Sequence, residues 1–231
     1  MSDYTVYGFP LSPFVRKVEA FLRNQGVDYD FENVNIMDMP DWFLEISPAR
    51  RIPVLRDKTV GEEGVAGTIA DSSAICLYLE KELDAGLYGA NNFDMARIMF
   101  VEEYADTEVA MPLGMQIFRP IVFPLFQGKE ADFETAKKGW NEILPQRFDY
   151  LEKALDGRDY FSGDSFSMAD IAVGSQMTQL DLVVGTPDAA KWPGLVKHIE
   201  AMKARSEFAA NLEVCSALLG KILPEKVDLS A

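Results

Sequence analysis

Histidine and cysteine are almost missing from this 231-residue chain: His198 stands alone, and the only two cysteines are Cys76 and Cys215. Two thiols so far apart in sequence argue against a disulfide framework and fit a reducing compartment such as the cytoplasm. With one histidine and unclustered cysteines, no structural metal site is expected. Nor does any uninterrupted apolar stretch approach the ~18 residues of a membrane span. The opening MSDYTVYGFP carries no basic region ahead of an apolar run, so no signal peptide is expected. Positive charge is also scarce. Against 37 Asp and Glu stand 22 Lys and Arg, a net charge of −15. That balance argues against a nucleic-acid partner, since phosphate binding needs clustered cations. It also means that any bound anion would require a local basic pocket. Repeats and low-complexity segments are absent, and the length allows one large domain or two small ones.

What is present divides in two. The first eighty residues alternate strand-like and helix-like patterns. Tyr4 to Tyr7 is a β-branched and aromatic run, broken by Gly8-Phe9-Pro10. From Pro13 the apolar residues Phe14, Val15, Val18, Phe21 and Leu22 keep helical spacing, with Gly26 as the stop. Val27 to Val34 reads as a second strand, and a short helix is expected within Pro40 to Ile46. Ile52 to Leu55 and the stretch around Gly67 to Ile69 read as strands, joined by a long loop over Asp57 to Ala66. Asp71 to Leu83 reads as a helix. The order β-α-β-α-β-β-α is that of a thioredoxin-like fold, placed over residues 1–83. Residues 84–91 are a turn-rich linker. Residues 92–231 read as an all-helical domain, with helices over Asn92–Phe118, Ala131–Leu155, Met168–Val184 and Pro193–Arg205. Pro145 should kink the second of these. Ser167 and Asp170 form the pattern of a capping box, with Phe166 able to staple onto Ile171.

Three short segments carry chemistry. Ser12, at the start of the first helix and followed by Pro13, is by itself most economically a helix cap. Its hydroxyl and the helix dipole are also suited to stabilising a thiolate. A free thiol has a pKa of about 8.5, and a hydrogen bond to the anion together with a helix N-terminus lowers it. In Arg50-Arg51-Ile52-Pro53, a cis peptide before Pro53 would turn the backbone outward, letting Ile52 pair with an extended peptide in strand fashion. Arg50 and Arg51 are the nearest cations for a carboxylate. At Asp71-Ser72, the free N–H groups of a helix start suit a carboxylate while Asp71 suits an ammonium. Together they describe a site for an amino-acid end.

In this order, Ser-Pro-Phe-x-Arg-Lys-Val-Glu, Arg-Arg-Ile-Pro-Val-Leu, Asp-Ser and the Ser167/Asp170 box resemble the serine-type soluble glutathione transferases. The resemblance is nearest to the plant tau class and related bacterial members, and covers nearly the whole chain. It implies glutathione as co-substrate, with Ser12 facing its sulfur and Ile52, before a cis-Pro53, pairing with the cysteinyl backbone. Asp71 and Ser72 would hold the γ-glutamyl end, and Arg51 would help hold the glycyl carboxylate. It further implies a homodimer.

Rival mechanisms fit less well. Tyrosine-type members place Tyr directly before Phe-Pro. Here Gly8 stands there, and Tyr7 one residue earlier points to the opposite face of its strand. Cysteine-type members would need Cys at position 12, and zeta-type isomerases a Ser-Ser-Cys run. A small apolar electrophile would lie among Phe9, Phe14, Tyr104, Met111 and Met115. Two alternatives stay open at this point: a glutathione-binding or interaction protein with little transferase activity, and a glutathione-dependent peroxidase or disulfide reductase. Cys76 reads as a core residue, and His198 as a surface or structural residue with no visible partner.

Overall fold

The computed structural model describes residues 2–163 and 165–229. The chain divides into two compact units, Met1–Leu87 and Tyr88–Ala231. The fold is the expected one, a small thioredoxin-like sheet domain followed by a helical domain.

In the first unit a four-stranded sheet runs in the order β2-β1-β3-β4. It comprises β1 (Tyr4–Gly8), β2 (Tyr29–Asn33), β3 (Val54–Asp57) and β4 (Thr68–Ala70), with helices α1 (Pro13–Asn24), α2 (Asp41–Ile46) and α3 (Ser72–Leu83). β1 pairs in parallel with β2 and antiparallel with β3, and β3 pairs antiparallel with β4. The central strand β1 is buried along its whole length, whereas β2, at the edge, is largely exposed. β3 starts two residues later than its apolar run suggests, because Pro53 has no N–H to give to the ladder. The Ile52–Pro53 peptide is cis.

Two glycines set close approaches here. A Cβ on Gly8 would lie 2.6 Å from Val15 Cγ2, so the end of β1 meets the first turn of α1 only because residue 8 has no side chain. A Cβ on Gly67 would lie 2.3 Å from the Asp57 carbonyl, and Gly67 also has φ +68°, so only glycine closes the loop between β3 and β4.

The second unit is helical throughout. Its first helix runs over Asn92–Phe126, longer than expected, and widens into π-helix at Ala105–Val109 and Leu113–Phe118. Each π segment lies just ahead of a proline, Pro112 and Pro120. A proline neither donates an N–H nor tolerates the carbonyl four residues back, and an i→i+5 turn absorbs both faults. Part of this helix is long and apolar enough, by length and composition, to cross a membrane, with mean hydropathy 1.4 over 18 residues. The apolar run is nonetheless interrupted by Arg119 and Gln116, and Val109, Leu113, Ile117 and Ile121 pack inside the protein.

The stretch expected as one helix over 131–155 is likewise broken. Phe133–Lys138 and Pro145–Leu155 are α-helical, and a π segment at Gly139–Ile143 joins them just before Pro145. Met168–Val184 is the central helix and is buried on nearly every side. It packs against the Asn92 helix and against Pro193–Ala204. A further helix, Ser206–Leu219, follows the four that periodicity indicates.

The capping box closes as expected: the Ser167 N–H and hydroxyl both donate to Asp170 Oδ2, at 2.9 and 2.8 Å. His198 is not without a partner. It is buried, and its Nε2 lies 3.1 Å from Asp170 Oδ1, which also accepts from the Phe161 N–H. The buried Asp170 side chain is reached by three directed donors, the Phe161 and Ser167 N–H groups and the Ser167 hydroxyl, with the His198 ring nitrogen as a fourth polar partner. Its role is to clamp the start of the central helix to the helix that carries His198.

Candidate functional site

The register of the sheet gathers the chemical segments of the first unit. Tyr7 on β1 pairs with Val54 on β3, and Val54 pairs with Ala70 on β4. One rung therefore lies at the exit of β1, the entry of β3 and the exit of β4. The Phe9–Ser12 loop, Ile52-Pro53 and Asp71-Ser72 are the segments that continue from these three strand ends, so the topology delivers all three to one end of the sheet.

Ser12 is the N-cap of α1 and half-buried. Its N–H donates to the Phe9 carbonyl at 2.9 Å, which closes the loop, and its Oγ accepts from the Val15 N–H at 3.4 Å. The cap uses an oxygen lone pair only. A hydroxyl carries one proton besides, and the proton of Ser12 stays available to an external acceptor. Capping and thiolate stabilisation are thus compatible rather than competing. Deeper in α1, the Lys17 ammonium reaches Ser73 Oγ at 3.2 Å and ties the Ser12 helix to the start of α3.

Asp71 caps α3 through Oδ1, which accepts from the N–H groups of Ser73 (3.0 Å) and Ala74 (3.4 Å). Its backbone sits at φ 85° and ψ 128°, a conformation that costs a non-glycine residue about 1–3 kcal/mol. Asp71 is exposed, while Ser72 beside it is buried. Arg50 and Arg51 are both exposed, and Arg50 also has positive φ, at 55°. Ile52 is half-buried against the cluster of Tyr7, Val34, Phe43, Ile46 and Val54.

Two residues that pattern reading passes over shape this site. Ser47 is fully buried, and its Oγ accepts from the Arg51 N–H (3.1 Å) while donating to the Arg51 carbonyl (2.7 Å). It locks the turn that leads into Ile52-Pro53. Arg56, on β3, is buried and faces the loop after it. Its Nη1 donates to the carbonyls of Ala66 (2.7 Å) and Gly61 (3.4 Å), and its Nη2 to Gly64 (2.8 Å). Its Nε donates to the Tyr7 hydroxyl at 3.2 Å. Nothing in the local sequence around Arg56 marks it, because its partners are backbone carbonyls five to ten residues on. The same contact places Tyr7: its ring is buried and its hydroxyl is engaged by Arg56.

On the other side of that loop, burial opposes ionisation of Asp57, but hydrogen bonds from Thr59 and Tyr78 outweigh it and hold the carboxyl below its ordinary range. Burial, then the neighbouring Asp57, push the Tyr78 phenol up.

Of the residues expected to line an electrophile site, Phe9 and Phe14 are half-buried on the Ser12 loop and the first turn of α1. In the helical unit, Met111 and Met115 are exposed, whereas Tyr104 stacks on Tyr150 with ring centroids 4.1 Å apart. Three carboxylates, Glu102, Glu103 and Asp106, approach within 4.8 Å of one another on the long helix, and Glu102 accepts the Tyr88 hydroxyl at 2.6 Å. Cys76 and Cys215 are both free and buried.

Comparison with known proteins agrees with this architecture. Residues 6–85 match the glutathione S-transferase N-terminal domain, and residues 115–213 match the glutathione S-transferase C-terminal domain. The chain is 25% identical to glutathione S-transferase U4 of Arabidopsis thaliana over 177 residues, covering 76% of this chain and 70% of that protein. It is 24% identical to glutathione S-transferase omega-1 of Sus scrofa, covering 96% and 88%. Among solved structures, a glutathione S-transferase from Rhodospirillum rubrum F11 superposes with a TM-score of 0.78 at 23% identity, covering 90% of this chain and 91% of that one. With both domain models matched in order along the same chain, this protein belongs to the soluble glutathione S-transferase superfamily.

Proposed function

We propose that the protein is a glutathione transferase that uses Ser12 to stabilise the glutathione thiolate and joins it to a small hydrophobic electrophile. The observation that carries this reading is the convergence of the Ser12 loop, Ile52-Pro53 and Asp71-Ser72 on one end of the sheet. In this reading the γ-glutamyl carboxylate takes the α3 N-terminus at Ser72 and the ammonium takes the Asp71 carboxylate. The cysteinyl backbone pairs with the N–H and C=O of Ile52, and Arg51 supplies positive charge for the glycyl end. These contacts fix the sulfur beside the Ser12 hydroxyl. The thiol proton leaves to solvent, the Ser12 O–H donates to the sulfur anion, and the anion attacks the electrophilic carbon. With a chloronitroaromatic, a C–S bond forms, the C–Cl bond breaks, and chloride departs with the electron pair. Phe9, Phe14, Tyr104, Met111 and Met115 are the residues proposed to meet the electrophile. We further propose a homodimer acting in the cytoplasm, where two free cysteines suit reducing conditions. A ~26 kDa elution volume in gel filtration would contradict the dimer.

Replacing Ser12 by Ala tests the assignment. A hydrogen bond to an anion contributes about 1.5–3 kcal/mol, or roughly one to two units of thiol pKa. Conjugation near pH 6.5 should fall tenfold or more, and the deficit should close as pH rises past the free thiol pKa. An equal rate at every pH, with glutathione affinity intact, would remove Ser12 from the mechanism.

A further inference from the structure

Sulfur meets solvent on this protein only as thioether. Cys76 and Cys215 are both free and buried, so neither thiol is accessible. Methionine, by contrast, occurs 10 times. Among the described residues three methionines are exposed: Met37 (69%), Met111 (64%) and Met115 (46%). Met39, Met95 and Met99 are half-buried, and Met168, Met177 and Met202 are fully buried. Met37 stands in the first unit, whereas Met111 and Met115 lie one turn apart on the long helix of the second.

The long helix has two unlike sides at this point. Val109, Leu113 and Ile117 are buried and anchor it in the core, while Met111 and Met115 stand outside. A Cβ added to Gly114 would meet nothing within 4 Å, so the surface beside Met115 is open to an approaching reagent. Met111 sits in the short α-helical stretch Ala110–Pro112 between the two π segments, and Met115 sits within the second of them. Oxygen added to either sulfur therefore faces solvent and requires no repacking of the core. A sulfoxide is polar where the thioether was apolar, but at exposed positions such a change leaves the fold in place.

We propose that Met111 and Met115 are a paired oxidation site, at which organic hydroperoxides reversibly weaken the binding of apolar electrophiles. The lone pair of the thioether sulfur attacks the terminal oxygen of R–O–O–H. An S–O bond forms, the O–O bond breaks, and the proton leaves with the alcohol R–OH. Sulfur loses two electrons and the peroxide gains them. Reversal takes two thiols, which leave as a disulfide while the oxygen leaves as water, the chemistry of methionine sulfoxide reductases. The effect on turnover rests on the transferase reading, in which these two residues meet the electrophile. A sulfoxide dipole set against an apolar ligand finds no hydrogen-bond partner there and opposes binding. The oxidation site itself rests only on the exposure of the pair and the burial of both thiols.

The test treats the full chain with tert-butyl hydroperoxide near neutral pH, removes the peroxide, and reads both peptide mass and turnover. Peptides carrying Met111 and Met115 should gain one oxygen per sulfur about tenfold faster than those carrying Met168, Met177 or Met202. The KM for 1-chloro-2,4-dinitrobenzene should rise about fivefold, while the KM for glutathione changes less than about twofold. Methionine sulfoxide reductases with dithiothreitol should restore the original value. The ratio of treated to untreated KM is then compared within each variant. It should fall to about one in Met111→Leu/Met115→Leu, whose side chains stay apolar but carry no sulfur, and should persist in Met37→Leu. The proposal is overturned if the pair is oxidised no faster than the buried methionines, if the oxidised parent keeps its KM, or if the double leucine variant responds as the parent does. A marked fall in the thermal midpoint of the oxidised parent also overturns it, since the loss would then be one of fold. An untreated parent that conjugates nothing would sink the transferase reading and the effect on turnover with it, and the oxidation rates alone would then decide the site.

Discussion

Arg56→Met is the perturbation that most directly probes how the first unit holds its site. Methionine keeps much of the aliphatic bulk on β3 and removes the guanidinium. Four hydrogen bonds are lost, but not four equal ones. Those to Ala66 (2.7 Å) and Gly64 (2.8 Å) are short and charge-assisted, while those to Gly61 (3.4 Å) and the Tyr7 hydroxyl (3.2 Å) are long. Gly64 and Ala66 are exposed, so their carbonyls recover water when the arginine is gone. Counting about 1.5 kcal/mol for each short bond and little for the long ones gives a loss of roughly 3 kcal/mol. For a chain of this size that corresponds to a thermal midpoint lower by about 6–12 °C. The damage should be local first. Amides of residues 58–67 should lose hydrogen-exchange protection, and the Glu62-Glu63 bond should become open to a Glu-specific protease. Because β4 follows the loop directly and leads into Asp71, the KM for glutathione should rise more than kcat falls. A variant within about 0.5 kcal/mol of the parent, with the loop still protected, would refute the idea that Arg56 organises this end of the sheet.

Three further outcomes are expected. Tyr7→Phe should keep conjugation within threefold and lose less than about 1 kcal/mol, because its hydroxyl is spent on a long bond from Arg56; a hundredfold loss in a steady-state assay would restore the tyrosine mechanism. Asp71→Asn should retain the helix cap and tolerate the positive φ, so the thermal midpoint should barely move, yet removing the charge should raise the KM for glutathione about tenfold or more; an unchanged KM would detach Asp71 from the γ-glutamyl end. Asp57 has a lowered folded-state pKa, so its contribution to stability is full above the unfolded value near 3.9 and is lost as pH falls through the folded value. Asp57→Asn should therefore be less stable than the parent by about 1–3 kcal/mol at pH 7, with the gap closing on acidification; urea midpoints between pH 7 and pH 3 give the comparison.

The sequence is most legible where one local rule acts alone. The β-branched and aromatic run that marks β1, the Ser-Pro start of α1 and the Ser167/Asp170 box each depend on residues within four positions, and each appears where the pattern puts it. Periodicity fails where a helix changes its pitch. Pro145 signals a disturbance of its helix, but the π turns ahead of Pro112, Pro120 and Pro145 reflect a choice between kinking and widening that tertiary packing makes. Side chains with distant partners were the least readable. Arg56 acts on carbonyls, which carry no sequence identity, and His198 reaches Asp170 across 28 residues. The site segments were readable as motifs, but their convergence rests on strand register, which no motif encodes.

The contact between Gly8 and Val15 bears on how such proteins change their chemistry over evolutionary time. Gly8 occupies the place where a tyrosine-type relative would carry its phenol. A first step that placed any side chain there would drive its Cβ to 2.6 Å from Val15 Cγ2, with the backbone between them already fixed by the loop to Ser12. A lineage leaving the serine solution would first have to shrink residue 15, opening a gap in the core of α1 before any benefit arrived. The crossing is a two-step path through a less stable intermediate, so the glycine at position 8, and with it the proposed use of Ser12, is held in place by packing.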